Sequence, residues 1–257
     1  MRQLIGAAGL ALAVTAGGAL GDSPEDARTY TDCMTAARQK PDDGFEMGSE
    51  WRDHGGGFPA EHCVAIALIG LRQYPEAAHR LETLAEGMVK EDPGLRAQVL
   101  SQAAEAWAEG GQPQAAESDL TEAIRLDPSS IQFLVSRSAV RAQRKDYRGA
   151  ISDLNLAVGK GADGGDIYAY RAAAYRLMGD LKDAAADADR AVQRGATLPE
   201  AWLERANVRR LSGDSVGARQ DWLQVIRLAP TSAAADAARQ NLETLDVHAD
   251  VHSANDK

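Results

Sequence analysis

The chain is 257 residues long, carries a formal net charge of −10 and has an aromatic fraction of only 5%. A protein that binds the nucleic-acid backbone needs a continuous stripe of Lys and Arg, so this acidic balance argues against a nucleic-acid partner. Alanine-rich stretches such as 184–191 favour helix over strand, because alanine has the highest helix propensity and loses no side-chain entropy. The composition therefore predicts an all-α protein.

Residues 1–21 have the features of a secretory signal peptide. Arg2 is followed by an apolar run from Leu4 to Ala16 and then by small residues up to Gly21. The run is shorter than the roughly 20 apolar residues that span a bilayer, and glycine interrupts it. We therefore predict export, cleavage near Gly21 and a mature chain without a membrane span. The alternative is an N-terminal membrane anchor.

A pair of helices is predicted after the signal peptide, over residues 22–57. Ser23 and Pro24 suit the cap and the first turn of a helix, and acidic residues follow them. The first helix is expected to end near Lys40 and the second to run over 41–53. We predict that this pair caps the N-terminal end of the domain that follows.

From residue 58 to residue 230, residue types recur at an offset of 34, except that the first unit precedes the second by 39, with five extra residues around Gly87 to Gly94. Two series of small residues share this spacing and fall on the two arms of a predicted helical hairpin. They are Ala116, Ala150, Ala184 and Ala218, and Ala104, Ser138, Ala172 and Ala206. Small residues let two helix backbones approach closely, and turns such as Gly213-Asp214 separate the two helices of each unit. The recurrence predicts five helical hairpins.

The last of these units resembles a repeat of the tetratricopeptide-repeat (TPR) family. It has a small residue at Ala206, a Gly-Asp turn at 213–214, an alanine at Ala218 and a closing proline at Pro230. The resemblance implies a right-handed superhelical solenoid of five TPR repeats over residues 58–230.

The segment after the repeats is alanine-rich and amphipathic as far as Leu245. In solenoids an extra helix usually covers the last apolar face, so we expect a C-terminal capping helix over residues 231–245. The polar tail, 246–257, is predicted to be disordered.

An aspartate and an arginine also recur with the 34-residue spacing. The members are Asp119, Asp153, Asp187 and Asp221, with Arg137, Arg171 and Arg205. A carboxylate beside a guanidinium group suggests catalysis, but an active site is needed once whereas a repeat interface is needed many times. We therefore predict structural ion pairs between neighbouring helices.

The chain has two cysteines, Cys33 and Cys63. In an exported protein an isolated pair most simply forms one disulfide, and the two helices that carry the pair are expected to be neighbours. The alternative is a zinc site or a nucleophilic Cys–His pair that includes His54 and His62. We predict the disulfide, because the set lacks a CxxC pair and sequence neighbours such as His62 and Cys63 do not share a helix face.

The TPR resemblance also implies a binding surface. In this family the first helices of the hairpins line a concave groove that usually holds an extended peptide or a partner helix. By helical phase, the groove residues are predicted to be Glu105, Val135, Ala139, Ala142, Ala173, Arg176, Leu203, Asn207 and Arg210. The centre of this groove is apolar, and Arg176 and Arg210 would attract the acidic end of a partner. The alternative is an ordinary solvated helix face.

The expected function is that of a non-enzymatic adaptor that binds another protein in the periplasm, without a cofactor. The periplasmic location rests on the short signal peptide and on a general resemblance of segment 59–71 to exported bacterial TPR proteins. Envelope assembly or secretion is the expected process. Two alternatives stay open: self-assembly through the apolar edges of the solenoid, and an enzyme or metal site around His54, His62 and Cys63.

Overall fold

A computed structural model describes residues 24–255 of the protein, with side-chain environments over residues 25–245. The described residues form thirteen α-helices and contain no strand. The all-α class predicted from the composition is therefore confirmed. None of the described helices has both the length and the apolar character needed to cross a bilayer. The signal peptide predicted over residues 1–21 lies outside the described part of the chain.

The thirteen helices follow one another through short connections. Their bounds are α1 Pro24–Gln39, α2 Pro41–Asp53, α3 Gly57–Gly70, α4 Tyr74–Gly87, α5 Pro93–Glu109, α6 Pro113–Leu126, α7 Ile131–Gln143, α8 Tyr147–Gly159, α9 Gly165–Met178, α10 Leu181–Arg194, α11 Pro199–Leu211, α12 Ser215–Leu228 and α13 Ala233–Asn255. In chain order, α1 and α2 precede the helices of the repeats, α3 to α12, and α13 follows them.

The described residues divide into two compact units, 24–140 and 141–255. The first unit contains α1 to α6 and most of α7, and its core includes the fully buried Val64, Leu81 and Leu120. The second unit contains the end of α7 and α8 to α13, and Trp222 is the largest fully buried side chain in it.

Small residues occupy the contacts between the helices of each unit. Every member of the two small-residue series is at most 2% exposed. In the second unit, Ala150 packs with Ala142 and Ala174, and the rings of Tyr147 and Tyr175 lie against this cluster. Interiors are packed to the density of organic crystals, so such a contact has no room for a larger side chain.

Ala150→Leu is therefore expected to destabilise the protein by about 1 to 3 kcal/mol, because the added atoms overpack this cluster. Urea unfolding followed by circular dichroism measures the loss. Arg148→Leu is the control, since it adds a leucine at an exposed position of the same helix. Equal unfolding midpoints for the Ala150 variant and the parent would show that Ala150 is not at a helix contact.

Aspartate side chains cap the second helices of three hairpins. Asp146, Asp180 and Asp214 each accept a hydrogen bond from the backbone N–H three residues later, at 3.0, 3.2 and 2.8 Å. Gly213 precedes the last of these caps with a φ of +90°, a conformation that glycine adopts without steric cost. The caps satisfy N–H groups that a helix N-terminus leaves free, so the recurring turn of the sequence has a local physical cause.

The N-terminal helices are joined to the first repeat by a covalent bond. Cys33 in α1 and Cys63 in α3 form a disulfide with a Cα–Cα distance of 6.0 Å. Both cysteines are fully buried, and Met34 and Ala67 lie in the same cluster. The bond holds α1 against α3.

Helix α13 covers the apolar end of the second unit, where Ala235 and Ala238 are buried together with Trp222. It continues to Asn255, beyond the predicted end at residue 245. The helix therefore runs past the predicted boundary, and the disorder expected for the tail stays a prediction. The physical reason for the longer helix is that this stretch contains neither Gly nor Pro, the residues that most disfavour continuation of a helix.

Candidate functional site

In the second unit, α11 contacts both α9 and α13. Helices α9 and α11 are the first helices of their hairpins and carry five of the predicted groove residues. We call the side of these helices formed by the following residues the α9–α11 face: Arg176, Leu177, Leu203, Asn207, Arg210 and Leu211.

Arg176 is engaged within this face and does not present a free charge. Its Nε and Nη2 atoms donate to the two carboxylate oxygens of Glu204 at 2.5 and 3.1 Å. Burial raises the pKa of Glu204, and the adjacent Arg176 guanidinium acts in the opposite direction. The pair links α9 to α11 and neutralises the charge of Arg176. The prediction that Arg176 attracts an acidic partner is corrected for this reason.

Asn207 connects three helices of the second unit. Its Oδ1 accepts a hydrogen bond from Nε1 of the buried Trp222 in α12, at 3.3 Å, and from Nδ2 of Asn241 in α13, at 3.1 Å. The amide therefore fixes α11 relative to α12 and α13.

The exposed residues of the α9–α11 face are apolar and basic. Leu177 and Leu211 are 40% and 44% exposed, and Arg210 is also exposed. The two leucines occupy the same repeat position, one at the end of α9 and the other at the end of α11. Their 34-residue separation is visible in the sequence, but neither leucine is among the groove residues predicted from helical phase.

The nine predicted groove residues fall in both units. Glu105, Val135 and Ala139 belong to the first unit and the other six to the second. Val135, Ala142 and Ala173 are buried against neighbouring helices, so their side chains are not available to a ligand and their assignment to the groove is corrected.

Glu105 is exposed on α5, as a groove position requires. The surrounding protein nevertheless removes part of the water around its carboxyl and so raises its pKa, and the negative charge of Glu109 adds to the effect. A carboxyl that is exposed and yet flanked by protein is typical of a recessed surface.

The recurring arginines and aspartates form ion pairs in the second unit. Nε and Nη2 of Arg171 donate to Asp187 at 2.6 and 2.8 Å, and the same atoms of Arg205 donate to Asp221 at 2.8 and 2.9 Å. Each pair joins the first helix of a hairpin to its second helix. The structural interpretation of this recurrence is confirmed for these two pairs.

Asp119 is the member of this series that lacks a guanidinium partner. Sixteen residues before it, where Arg171 and Arg205 precede their aspartates, the chain has Ala103. Oδ2 of Asp119 is buried and has no hydrogen-bond partner within the described residues. Burial raises the pKa of this carboxyl to about 7, and the nearby negative charge of Glu82 contributes to the shift.

The raised pKa of Asp119 predicts a stability that depends on pH. The folded state binds this proton more tightly than the unfolded chain does, so the stabilisation is complete below about pH 4 and is lost as the pH rises through 7. Asp119→Asn imitates the protonated form at every pH. The variant should match the parent near pH 4 and exceed it at pH 8 by about 1 to 3 kcal/mol.

Urea unfolding at a series of pH values measures this difference. The matched control is Asp187→Asn, which removes the acceptor of an ion pair and should reduce stability at pH 8. A difference between the Asp119 variant and the parent that does not change with pH would contradict the assignment.

A chain of hydrogen bonds links three helices of the first unit through His62. The hydroxyl of Tyr30 lies 2.7 Å from Nδ1 of His62, and Nε2 of His62 lies 2.6 Å from Oε1 of Gln102. Because the amide oxygen of Gln102 only accepts, Nε2 of His62 donates to it, and the Tyr30 hydroxyl donates to Nδ1. Burial lowers the pKa of His62 and so favours the neutral imidazole.

The side chains of the alternative enzyme or metal site are engaged in other contacts. Cys63 is bonded to Cys33, both ring nitrogens of His62 are engaged, and Nδ1 of His54 lies 2.7 Å from the carbonyl oxygen of Glu50. Among the residues that the structure describes, no group of three or more His, Cys, Asp or Glu side chains is placed to hold a metal ion.

Comparison with known proteins agrees with the repeat architecture. A tetratricopeptide-repeat family model matches residues 65–131 and 171–233. A tetratricopeptide repeat protein from Parabacteroides merdae is similar at 14% identity and a TM-score of 0.61, covering 85% of this chain and 86% of that one. No curated relative matches the sequence.

Two further solved structures have a similar fold. A thermophilic TPR protein from Thermus thermophilus shares 16% identity at a TM-score of 0.58, covering 74% of this chain and 100% of that one. MamA from Desulfovibrio magneticus shares 16% identity at a TM-score of 0.55, covering 84% of this chain and 99% of that one.

Proposed function

Since the chain belongs to the tetratricopeptide-repeat family, we propose that it is a protein-interaction adaptor that binds an extended peptide or a partner helix on the α9–α11 face. The observation that carries the proposal is the pair of exposed leucines, Leu177 and Leu211, at one repeat position of neighbouring first helices. Single exposed apolar residues are common on soluble proteins, but a recurring pair beside a basic residue is typical of a contact surface.

The chemistry of the face defines the partner. Leu177 and Leu211 offer contact to apolar side chains, and the exposed guanidinium of Arg210 offers two parallel hydrogen bonds to a carboxylate. Arg176 is neutralised by Glu204, so Arg210 is the residue that orients an acidic group of the partner. The preferred partner segment is therefore apolar with an acidic residue at one end.

The proposed location is the periplasm, and the proposed process is envelope assembly or secretion. Residues 1–21 have the composition of a signal peptide. The disulfide between Cys33 and Cys63 also supports this proposal, because disulfides form and persist mainly in oxidising compartments. The role is that of a scaffold: Asn207 of the face and the buried Glu204 beside it are occupied by contacts within the protein.

A charge introduced at Leu211 tests the proposal. Partners are captured by crosslinking from a periplasmic extract, identified, and their affinity is measured for the parent and for Leu211→Asp. The affinity of the variant should fall at least tenfold, about 1.4 kcal/mol, because the charge has to be desolvated in an apolar contact. Arg210→Glu should lower the affinity and reduce its dependence on salt.

Leu223→Asp is the matched control, since Leu223 is 46% exposed on α12, the second helix of the same hairpin. It should leave the affinity unchanged. An equal loss in the Leu211 and Leu223 variants, or no loss in either, would contradict binding on this face. If the captured polypeptide is the chain itself, light scattering at two concentrations measures the resulting self-association.

A further inference from the structure

Two carboxylates in the first unit stand where corresponding residues of the second unit hold a guanidinium group. In the second unit, the guanidinium of Arg205 lies between Asp221 of its own hairpin and Asp189 of the preceding helix, at 2.8 and 3.5 Å. The counterparts in the first unit are Asp119 on α6 and Glu82 on α4, allowing for the five extra residues between the first and second repeats.

The repeat positions that would supply an arginine to this pair of carboxylates hold other residues. The counterpart of Arg205 is Ala103, and the counterpart of Arg209, which also donates to Asp221, is Trp107. Arg96, on α5, acts on the charge of Glu122 rather than on that of Asp119. Asp119 is therefore the one aspartate of the series that has no arginine at either of these two repeat positions.

The Glu82 carboxylate is held in place by two neighbouring rings, whereas Asp119 keeps an oxygen without a partner. Nε1 of Trp107 donates to Oε1 of Glu82 at 2.8 Å, and Nδ1 of His79 lies 3.1 Å from Oε2 of the same carboxylate. Asp119 is 9% exposed, and its Oδ2 is buried without a hydrogen-bond partner within the described residues. An unpaired buried carboxylate oxygen is costly, so it indicates a site whose donor comes from outside the chain.

We propose that Glu82 and Asp119 form a binding site for the guanidinium group of an arginine side chain supplied by a partner polypeptide. A guanidinium group matches this pair because it is planar and can donate to two carboxylates at once. Arg205 of the second unit pairs with two carboxylates in this way, those of Asp221 and Asp189. Trp107 is 3% exposed, so its part is to hold the Glu82 carboxylate in place.

The site is accessible from the α4 side. The side chain of Glu82 is 30% exposed, and that of His79 is largely exposed. An arginine from outside can therefore reach the Glu82 carboxylate first and then Asp119. The pKa of Asp119, raised to about 7 by burial and by the charge of Glu82, fits a carboxyl that releases its proton when a cation binds. This site lies in the first unit and does not depend on the α9–α11 face.

The test uses N-acetyl-arginine amide as the probe and the indole N–H of Trp107 as the reporter, observed by NMR in the ¹⁵N-labelled full chain. At pH 8, where the Asp119 carboxyl is ionised, the probe should shift this signal in a saturable manner. N-acetyl-lysine amide should bind at least threefold more weakly, because an ammonium group cannot span two carboxylates as a planar fork. Trp107→Phe assigns the signal.

Two isosteric variants complete the test. Asp119→Asn and Glu82→Gln remove one charge each without changing the side-chain volume, and each should weaken binding of the arginine probe at least fivefold. A shift that rises linearly without saturation, an equal response to the lysine probe, or full binding by both variants would overturn the proposal. The measurement involves no partner protein, so failure of the adaptor function would leave its result unaffected.

Discussion

Arg171→Met is expected to destabilise the second unit by about 3 to 5 kcal/mol. The side chains of Arg171 and Asp187 are 10% and 5% exposed, so removal of the guanidinium leaves a buried carboxylate whose other ion-pair partner is the largely exposed Arg190, at 3.6 Å. Nη1 of Arg171 also donates to Asn155 at 2.8 Å, and that contact to α8 is lost as well. Urea unfolding followed by circular dichroism measures the change in unfolding free energy.

The double variant Arg171→Met with Asp187→Leu is the decisive comparison. Replacing both partners by apolar side chains removes the buried charge, so the double variant should regain most of the stability that the single variant loses. Arg125→Met is the surface control, because the Arg125–Glu122 pair is largely exposed and should matter little. A loss in the Arg171 variant no larger than in this control would contradict a structural role for the buried pair.

Removal of the disulfide is expected to destabilise the first unit by about 3 kcal/mol, through the variant Cys33→Ala with Cys63→Ala. The bond closes a loop with a sequence separation of 30, and the open loop gives the unfolded chain more conformations. Both cysteines are fully buried, so alanine keeps the apolar surroundings of the two positions.

Reduction provides an independent measure of the same quantity. A reductant should lower the urea midpoint of the parent to about that of the double variant and leave the double variant unchanged. Titration of thiols in the denatured, unreduced parent should find none. Two reactive thiols, together with a midpoint that does not respond to the reductant, would contradict the bond.

The helices were predictable because their signals are local. Aspartate caps, turn glycines and small contact residues recur with the repeat, and each acts within one or two helices. Arg171 and Asp187 could be paired from the sequence for the same reason, because the pair returns as Arg205 and Asp221.

The candidate site was harder to predict because its contacts do not recur. Arg176 pairs with Glu204, but the residue one repeat before Glu204 is Tyr170, so periodicity gave no sign of the pair. Helical phase placed Ala173 toward the groove, but the neighbouring helices determine how deep such a residue lies. Ala103, by contrast, interrupts the arginine series visibly in the sequence, and it marks Asp119 as unpaired.

The paired residues are close in sequence, and this has a consequence for folding kinetics. Arg171 and Asp187 are 16 residues apart, and Arg141 and Asp153 are 12 apart. The entropy lost on closing a loop grows with its length, and proteins dominated by such local contacts fold within microseconds to milliseconds. Folding can start at whichever hairpin of this kind forms first. The N-terminal hairpins of a chain that emerges N-terminus first can therefore fold before its C-terminal end has emerged.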